Sequence, residues 1–215
     1  MTPLSGSFNL WLALAAGAAG YVIGNFQTAI IVSKAYYHDD VRNHGSGNAG
    51  STNMLRVFGV GPGVITFIGD FLKAVVGVLA GRLLMGYLGG YIAGYLVIVG
   101  HCYPVFDGFR GGKGVASSVG LAAMVFPLGA GISFGVGALL LLLTKRVSVM
   151  SLGGILAFLV TVLLFRIHDI GLVVLAILVV LIVFIRHTDN IRRLLHGEEK
   201  PVRGKSGDTQ PVKKA

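Results

Sequence analysis

His187 and Asn190 stand three positions apart in the stretch Arg186-His187-Thr188-Asp189-Asn190-Ile191-Arg192-Arg193. On a helix that spacing puts both on one face, where an imidazole beside an amide can orient or deprotonate a hydroxyl. Two other stretches carry groups for anions. In Gly45-Ser46-Gly47-Asn48-Ala49-Gly50-Ser51-Thr52-Asn53-Met54-Leu55-Arg56, the glycines let the backbone approach a ligand with positive φ. Consecutive free N–H groups can then form a concave anion nest. Ser46, Asn48, Ser51, Thr52 and Asn53 add neutral donors, and Arg56 adds a planar fork matched to phosphate oxygens. In Gly100-His101-Cys102 through Gly114, Arg110 and Lys113 flank Gly111 and Gly112. A helix beginning at Lys113 would turn its free N–H groups and its positive end onto that loop, a place for a second phosphate.

Each stretch also has a plain structural reading: a flexible linker, a snorkelling basic turn and an amphipathic interfacial helix, in that order. Asp70 and Lys73, three apart within an apolar run, are costly in lipid unless they face a cavity or each other. An internal ion pair lining the site is expected there. His101 ends a span and is a supporting candidate, as are Arg146 and Ser148 in a later basic loop. Asn25 and Gln27 are expected to hydrogen-bond between helices. Cys102 is the only cysteine, which excludes an intrachain disulfide and a zinc cluster. The Gly-Lys-Ser/Thr of a Walker loop, a Gly-x-Ser-x-Gly elbow, a His-Glu-x-x-His pair and acidic magnesium-holding clusters do not occur. His101 and Asp107 are separated by five residues, one more than the His-x4-Asp acyltransferase signature has. No metal or cofactor is expected.

The elements that position these groups follow from composition. The 215 residues are 54% hydrophobic and 13% charged, with mean hydropathy +0.79. A soluble domain carries roughly twice that charge, so lipid is the main solvent. Spans of about 20 apolar residues are expected near 10–32, 63–84, 88–106, 147–165 and 170–185. The 29 uncharged residues of 115–143 are expected to break near Phe126, giving a short span and a full one. The fold class is thus an all-α polytopic membrane protein of about seven transmembrane helices. Fifteen of the 18 Lys and Arg fall on one side of that arrangement, against Arg82 and Arg166 on the other and Lys73 within a span. That bias puts the N-terminus outside and the C-terminus in the cytoplasm. One membrane domain is expected over 1–196, with no cleaved signal peptide, and a basic disordered tail over 197–215. The net charge of +9 lies in loops and tail, which points to lipid headgroups or anionic substrates and not to nucleic acid. No obligatory protein partner is evident.

With these residues in place, the chain resembles the bacterial acyl-phosphate:glycerol-3-phosphate acyltransferases, the PlsY family. The first stretch is similar to that family's Gly-Ser-Gly-Asn-x-Gly-Ala-Thr-Asn-x-x-Arg, with Ser51 in the Ala place. Gly100 to Gly114 is similar to Gly-His-x-Phe-Pro-x-Phe…Gly-Gly-Lys-Gly, with Tyr103 for Phe. Arg186 to Glu199 is similar to Arg-His-x-x-Asn-Ile-x-Arg-Leu…Gly-x-Glu. The family often has Ser-x-Pro where this chain has Asn25-Phe26-Gln27, and Gly at Ala74. The resemblance implies transfer of a fatty acyl group from acyl phosphate to the 1-hydroxyl of glycerol 3-phosphate, giving lysophosphatidic acid and phosphate at a bacterial plasma membrane. It implies that Ser46, His187 and Asn190 sit at the reacting centre. Gly47, Asn48, Gly50, Thr52, Asn53, Arg56, Gly112, Lys113 and Gly114 would hold phosphate, with Asp70, Lys73, His101, Arg146 and Ser148 in support. The rival readings are a transporter of phosphorylated metabolites, against which stands the lack of an internal repeat, and another membrane transferase acting on phosphorylated lipids.

Overall fold

The computed structural model of the protein describes residues 9–202, and the described residues are helical with no strand. Asn9 starts α1 (Leu10–Gly24) by accepting from the Trp11 and Leu12 amides, which closes off two donors the helix leaves unpaired. The helix does not run on to Val32 as one rod. It breaks over Asn25-Phe26-Gln27 and resumes as α2 (Thr28–Tyr37), although no proline is present. Asn25 and Gln27 turn their amides back onto the carbonyls of Tyr21 and Gly24. This is the local competition with helix bonding that such side chains provide; Asn25 also accepts from the Phe106 amide at 3.5 Å, a bond between segments as expected, whereas Gln27 makes only the local one.

After a short 3-10 turn (Val41–Asn43) comes α3 (Ser51–Phe58), and then α4 (Val60–Cys102), which folds on itself where Met85 and Gly86 leave helical geometry. Gly86 takes a left-handed φ of 60°. The two arms, 60–84 and 87–102, lie antiparallel, because side chains added at Gly81 and Gly77 would strike Gly89 and Val97. A side chain at Gly20 would likewise strike the Ala93 backbone, so α1 lies against the second arm at backbone distance. Small residues at such seams are how helices associate in lipid.

Phe126 interrupts the next apolar run as expected, separating α5 (Val115–Val125) from α6 (Pro127–Thr144). Helix α5 begins two residues after Lys113, with Gly114 in a left-handed conformation as its cap. Then come α7 (Val147–Phe165), α8 (Ile170–Arg186) and α9 (Thr188–Leu195), the last bent 64° from α8. The core draws Val78, Ile98, Leu121, Phe158, Val162, Leu175 and Val183 from α4, α5, α7 and α8. Leu83, Leu143, Leu164 and Ile170 point outward, as lipid-facing residues do. By length and composition four segments can cross a membrane, or five counting α8 with α9.

The expected tail over 197–215 lies mostly outside the described residues. Its start, 197–202, is tied to the domain: the Glu198 amide donates to Arg193, and the Val202 amide donates to the Lys145 carbonyl.

Candidate active site

The three stretches meet at one end of the bundle, and the joints are backbone carbonyls held by cations. The break in α1 leaves the Gly24 and Phe26 carbonyls without helical partners, and the Lys73 ammonium donates to both, at 3.2 and 2.8 Å. Lys73 also pairs with Asp70 at 2.8 Å and lies 2.8 Å from His101 Nδ1. Thr28 donates its hydroxyl to the same Asp70 oxygen. The expected ion pair therefore exists, buried, and it locks the α1–α2 break to α4 and to the ring of His101.

His101 in turn abuts the second stretch. Its carbonyl accepts from the Gly112 amide. A side chain at Gly112 would run into the His101 ring and the Ala49 carbonyl. Gly112 is thus required for the first and second stretches to touch. Arg186 closes the joint from α8, donating to the carbonyls of Gly112 and Gly111 at 3.1 and 3.2 Å while stacking on Tyr103. Arg42 does the same from the 3-10 turn just before the first stretch, reaching the Asp107 and Arg110 carbonyls while paired with Asp40 at 2.7 Å. That guanidinium holds the Asp40 carboxyl down to about 2.

Beyond Gly112, Lys113 donates to the Asn190 side-chain oxygen, joining the second and third stretches. Asn190 passes its own amide proton to Glu199 at 2.6 Å, and Arg193 donates to the other Glu199 oxygen at 2.7 Å. Arg146 donates to the Glu199 backbone carbonyl. Burial raises the Glu199 carboxyl, but the bonds from Arg193 and Asn190 outweigh it and hold it below its ordinary value. Burial, reinforced by Arg193, brings the Lys113 ammonium down to about 8. His187, at the α8–α9 bend and 3% exposed, has Nδ1 2.8 Å from the Val183 carbonyl. Nδ1 must carry the proton there, which leaves a lone pair on Nε2. Burial, then the charge of Lys113, brings this imidazole down to about 4, so it is neutral at ordinary pH.

The remaining expected residues divide. Asn53 is buried and spends its whole amide on the fold, accepting from the Ser46 amide and donating to the Val41 and His44 carbonyls. It shapes the first loop, whereas a ligand contact was expected of it. Ser46 and Arg56 are exposed, and the Arg56 guanidinium makes no hydrogen bond or ion pair among the described residues. Gly45 and Gly47 have φ of 59° and 69°, and Gly50 precedes α3, leaving Asn48 and Thr52 half-buried along the loop. Ser148 is buried with a hydroxyl that lacks a partner among the described residues. Arg42, Arg186 and Glu199 were not singled out beforehand. The last two lie inside the Arg-His…Gly-x-Glu pattern, which was the available signal.

This end of the bundle therefore offers a neutral imidazole, a buried ammonium and a glycine-rich loop beside lipid-facing helices, a setting for joining an apolar acyl chain to a phosphorylated polar acceptor. Comparison with known proteins agrees. The family described as glycerol-3-phosphate acyltransferase matches residues 14–197. A glycerol-3-phosphate acyltransferase of Alkaliphilus metalliredigens is 38% identical over 186 residues, 86% of this chain and 93% of its own length. One from a Thermoanaerobacter species is 40% identical over 179 residues, covering 83% and 90%. Among solved structures, PlsY, an integral membrane glycerol 3-phosphate acyltransferase, superposes in its glycerol 3-phosphate form with a TM-score of 0.83, at 33% identity over 88% of this chain and 94% of that one. Its lysophosphatidic acid form gives 0.81 at 31% identity. The chain belongs to the glycerol-3-phosphate acyltransferase family of integral membrane proteins.

Proposed function

We propose that this acyltransferase takes its acyl group from acyl phosphate and delivers it to the 1-hydroxyl of glycerol 3-phosphate, in a site facing the cytoplasm. The hydroxyl oxygen attacks the acyl carbon, the bond from that carbon to the phosphate oxygen breaks, and phosphate leaves with the electron pair. An acyl phosphate is an activated mixed anhydride, so positioning and charge stabilisation suffice and no acyl-enzyme is needed. The carrying observation is the Lys113–Asn190–Glu199 chain beside a neutral His187. His187 Nε2 would orient the hydroxyl and take its proton. Lys113, Arg56 and the amides of Asn48 and Thr52 would hold phosphate, the Gly47 and Gly50 amides being spent on the His44 and Asn48 carbonyls in shaping the loop, and Ser46 would donate to the acyl carbonyl.

Seven spans result if the α1–α2 pair is one broken span, the arms of α4 are two, and the short α5 is one; the basic loops then share one face, which supports the C-terminus inside. The near-full-length match to acyltransferases disfavours the transporter reading. The test is phosphate release by detergent-solubilised protein given acyl phosphate, with and without glycerol 3-phosphate. Acceptor-dependent release with formation of lysophosphatidic acid is expected. No turnover from folded protein would refute the donor assignment.

A further inference from the structure

At the end of the bundle opposite the three stretches, the elbow at Met85 and Gly86 joins the two arms of α4. Arg82 and Arg166 lie at that end, and their charges are met differently. Arg166 pairs with Asp169 at 3.1 Å, and Asp169 also accepts from the Tyr91 hydroxyl and the Leu172 amide. Arg82, one turn before the elbow, has no ion-pair partner among the described residues. A guanidinium carries five N–H donors. That of Arg82 places one of them, from Nη2 to the Met124 carbonyl at 2.6 Å, near the end of α5. Its Nε is buried without a partner among the described residues. The guanidinium carbon lies 5.2 Å from the centre of the Tyr87 ring, and Arg82, Gly86 and Tyr87 line an open hollow of about 220 Å³. A side chain built on Gly86 would meet nothing within 4 Å. Leu83, 89% exposed, and Tyr87 face outward here, so the hollow borders lipid.

We propose that this hollow binds the phosphate of an anionic phospholipid, with the Arg82 guanidinium as its counter-ion and the lipid chains running down past Leu83. An arginine that only snorkels carries its head out to water. The head of Arg82 is instead held down against the Met124 carbonyl and the Tyr87 ring, half-buried and with donors to spare. A charge at the edge of lipid with no protein partner calls for an anion, and a planar fork matches phosphate oxygens. The neighbouring charges set the headgroup class. An amine-bearing headgroup would need a carboxylate, and Asp169, the one at this end among the described residues, is taken by Arg166, Tyr91 and Leu172. A glycerol headgroup makes no such demand. The bound lipid would reinforce the tie between the elbow of α4 and the end of α5, two elements that Arg82 already bridges.

The test uses full-length protein in a non-ionic detergent, titrated separately with phosphatidylglycerol, phosphatidylcholine and inorganic phosphate. Native mass spectrometry counts the bound lipid. The melting temperature is followed beside it, since a ligand of the folded state raises it. The native protein should hold one phosphatidylglycerol more tightly than phosphatidylcholine and melt a few degrees higher with it. Inorganic phosphate, which lacks the chains, should not substitute; a full response to it would make this a free-anion site and overturn the lipid assignment. Arg82→Gln should weaken phosphatidylglycerol binding by roughly tenfold to a hundredfold, the usual loss for a bond to a charged group. Arg192→Gln, which removes an exposed cation from α9 at the other end of the bundle, should keep the native affinity. Arg82→Gln also gives up the bond to Met124, so Tyr87→Glu is the second variant. Tyr87 is exposed, and a carboxylate in place of its ring would pair with Arg82 from within the protein and abolish the lipid-dependent rise. Equal affinity for the two lipids, a native response to phosphatidylglycerol in Arg82→Gln or Tyr87→Glu, or an equal loss in Arg192→Gln overturns the proposal. No arm needs turnover, so the result stands whatever the acyl donor proves to be.

Discussion

The protonation states of Lys113 and His187 predict a defined pH window for turnover. Burial, with Arg193 adding repulsion, lowers the Lys113 ammonium from 10.5 to about 8, so Lys113 is cationic below that value and loses its charge above it. Burial, with Lys113 adding repulsion, lowers His187 from 6.5 to about 4, so the imidazole is a free base above that value. Both groups are in working form between those limits. The substrate phosphates take their second proton near pH 6, so an acid limb beginning there belongs to the substrates, and the alkaline limb is the diagnostic one. One pH unit past a pKa leaves about a tenth of a group in its former state. Between pH 7 and 9, kcat/KM should therefore fall about tenfold, whereas an ordinary lysine at 10.5 would give almost no fall. The assay is lysophosphatidic acid formation, with spontaneous hydrolysis of acyl phosphate subtracted. In the enzyme–substrate complex a phosphate dianion beside Lys113 raises its pKa, so the limb in kcat should lie at higher pH than the limb in kcat/KM. Lys113→Arg, whose guanidinium stays charged, should abolish the limb in whatever activity it retains. A profile flat to pH 10 in the native enzyme, or the same limb persisting in Lys113→Arg, would refute the reasoning.

Other substitutions separate chemistry from scaffolding. His187→Ala should lower kcat by about a hundredfold or more, the share a general base supplies, with the melting temperature nearly unchanged; near-normal turnover would remove His187 from the site. Gly112→Ala should lower kcat/KM by on the order of a hundredfold through displacement of the loop, since the new methyl meets His101 and Ala49. Gly108→Ala is its control: Gly108 is left-handed, at φ 65°, and has open space around it. It should cost about 1 kcal/mol of stability and leave kinetics intact. Glu199→Ala frees the Asn190 amide and Arg193 together and should cut kcat/KM about tenfold at constant melting temperature, with Glu199→Gln intermediate.

The sequence announced which stretches would form the site but not how they are joined. Hydropathy located the apolar runs, and Phe126 with Pro127 marked the break between α5 and α6. The break at Asn25-Phe26-Gln27 was harder to see, because no proline marks it. It depends on side-chain amides competing for carbonyls and on a lysine 47 residues from Phe26 to occupy the carbonyls set free. A count of polar residues in the glycine-rich loop likewise cannot tell Asn53, which spends its amide inside the loop, from Arg56, which spends nothing. Glu199 was assigned to a disordered tail on composition, since its Pro and Gly neighbours look like linker. Its place is fixed by partners on α9 and at the start of α7, a tertiary fact that local composition does not carry.

The positive charge of this end of the molecule is mostly not for the substrate. Lys73 is spent on the carbonyls of Gly24 and Phe26, Arg42 on those of Asp107 and Arg110, Arg146 on Glu199, and Arg186 on Gly111 and Gly112. Arg82 does the same for Met124 in the first arm of α4. Each of these carbonyls belongs to a helix end, a break or a loop, where regular bonding stops. Irregular backbone at membrane depth has little water to fall back on, so its unpaired oxygens must be met from within. A lysine or arginine does this over a long reach and with a stronger bond than a neutral donor gives. What remains for ligands is narrower than the net charge suggests. Of the two cations expected to hold phosphate, Arg56 is unpaired among the described residues, as Arg110 and Arg192 are, and Lys113 has one bond, to the Asn190 amide oxygen that a phosphate oxygen can replace. Basic loops in a membrane enzyme thus do two jobs, and only the hydrogen-bond partners tell which cation does which.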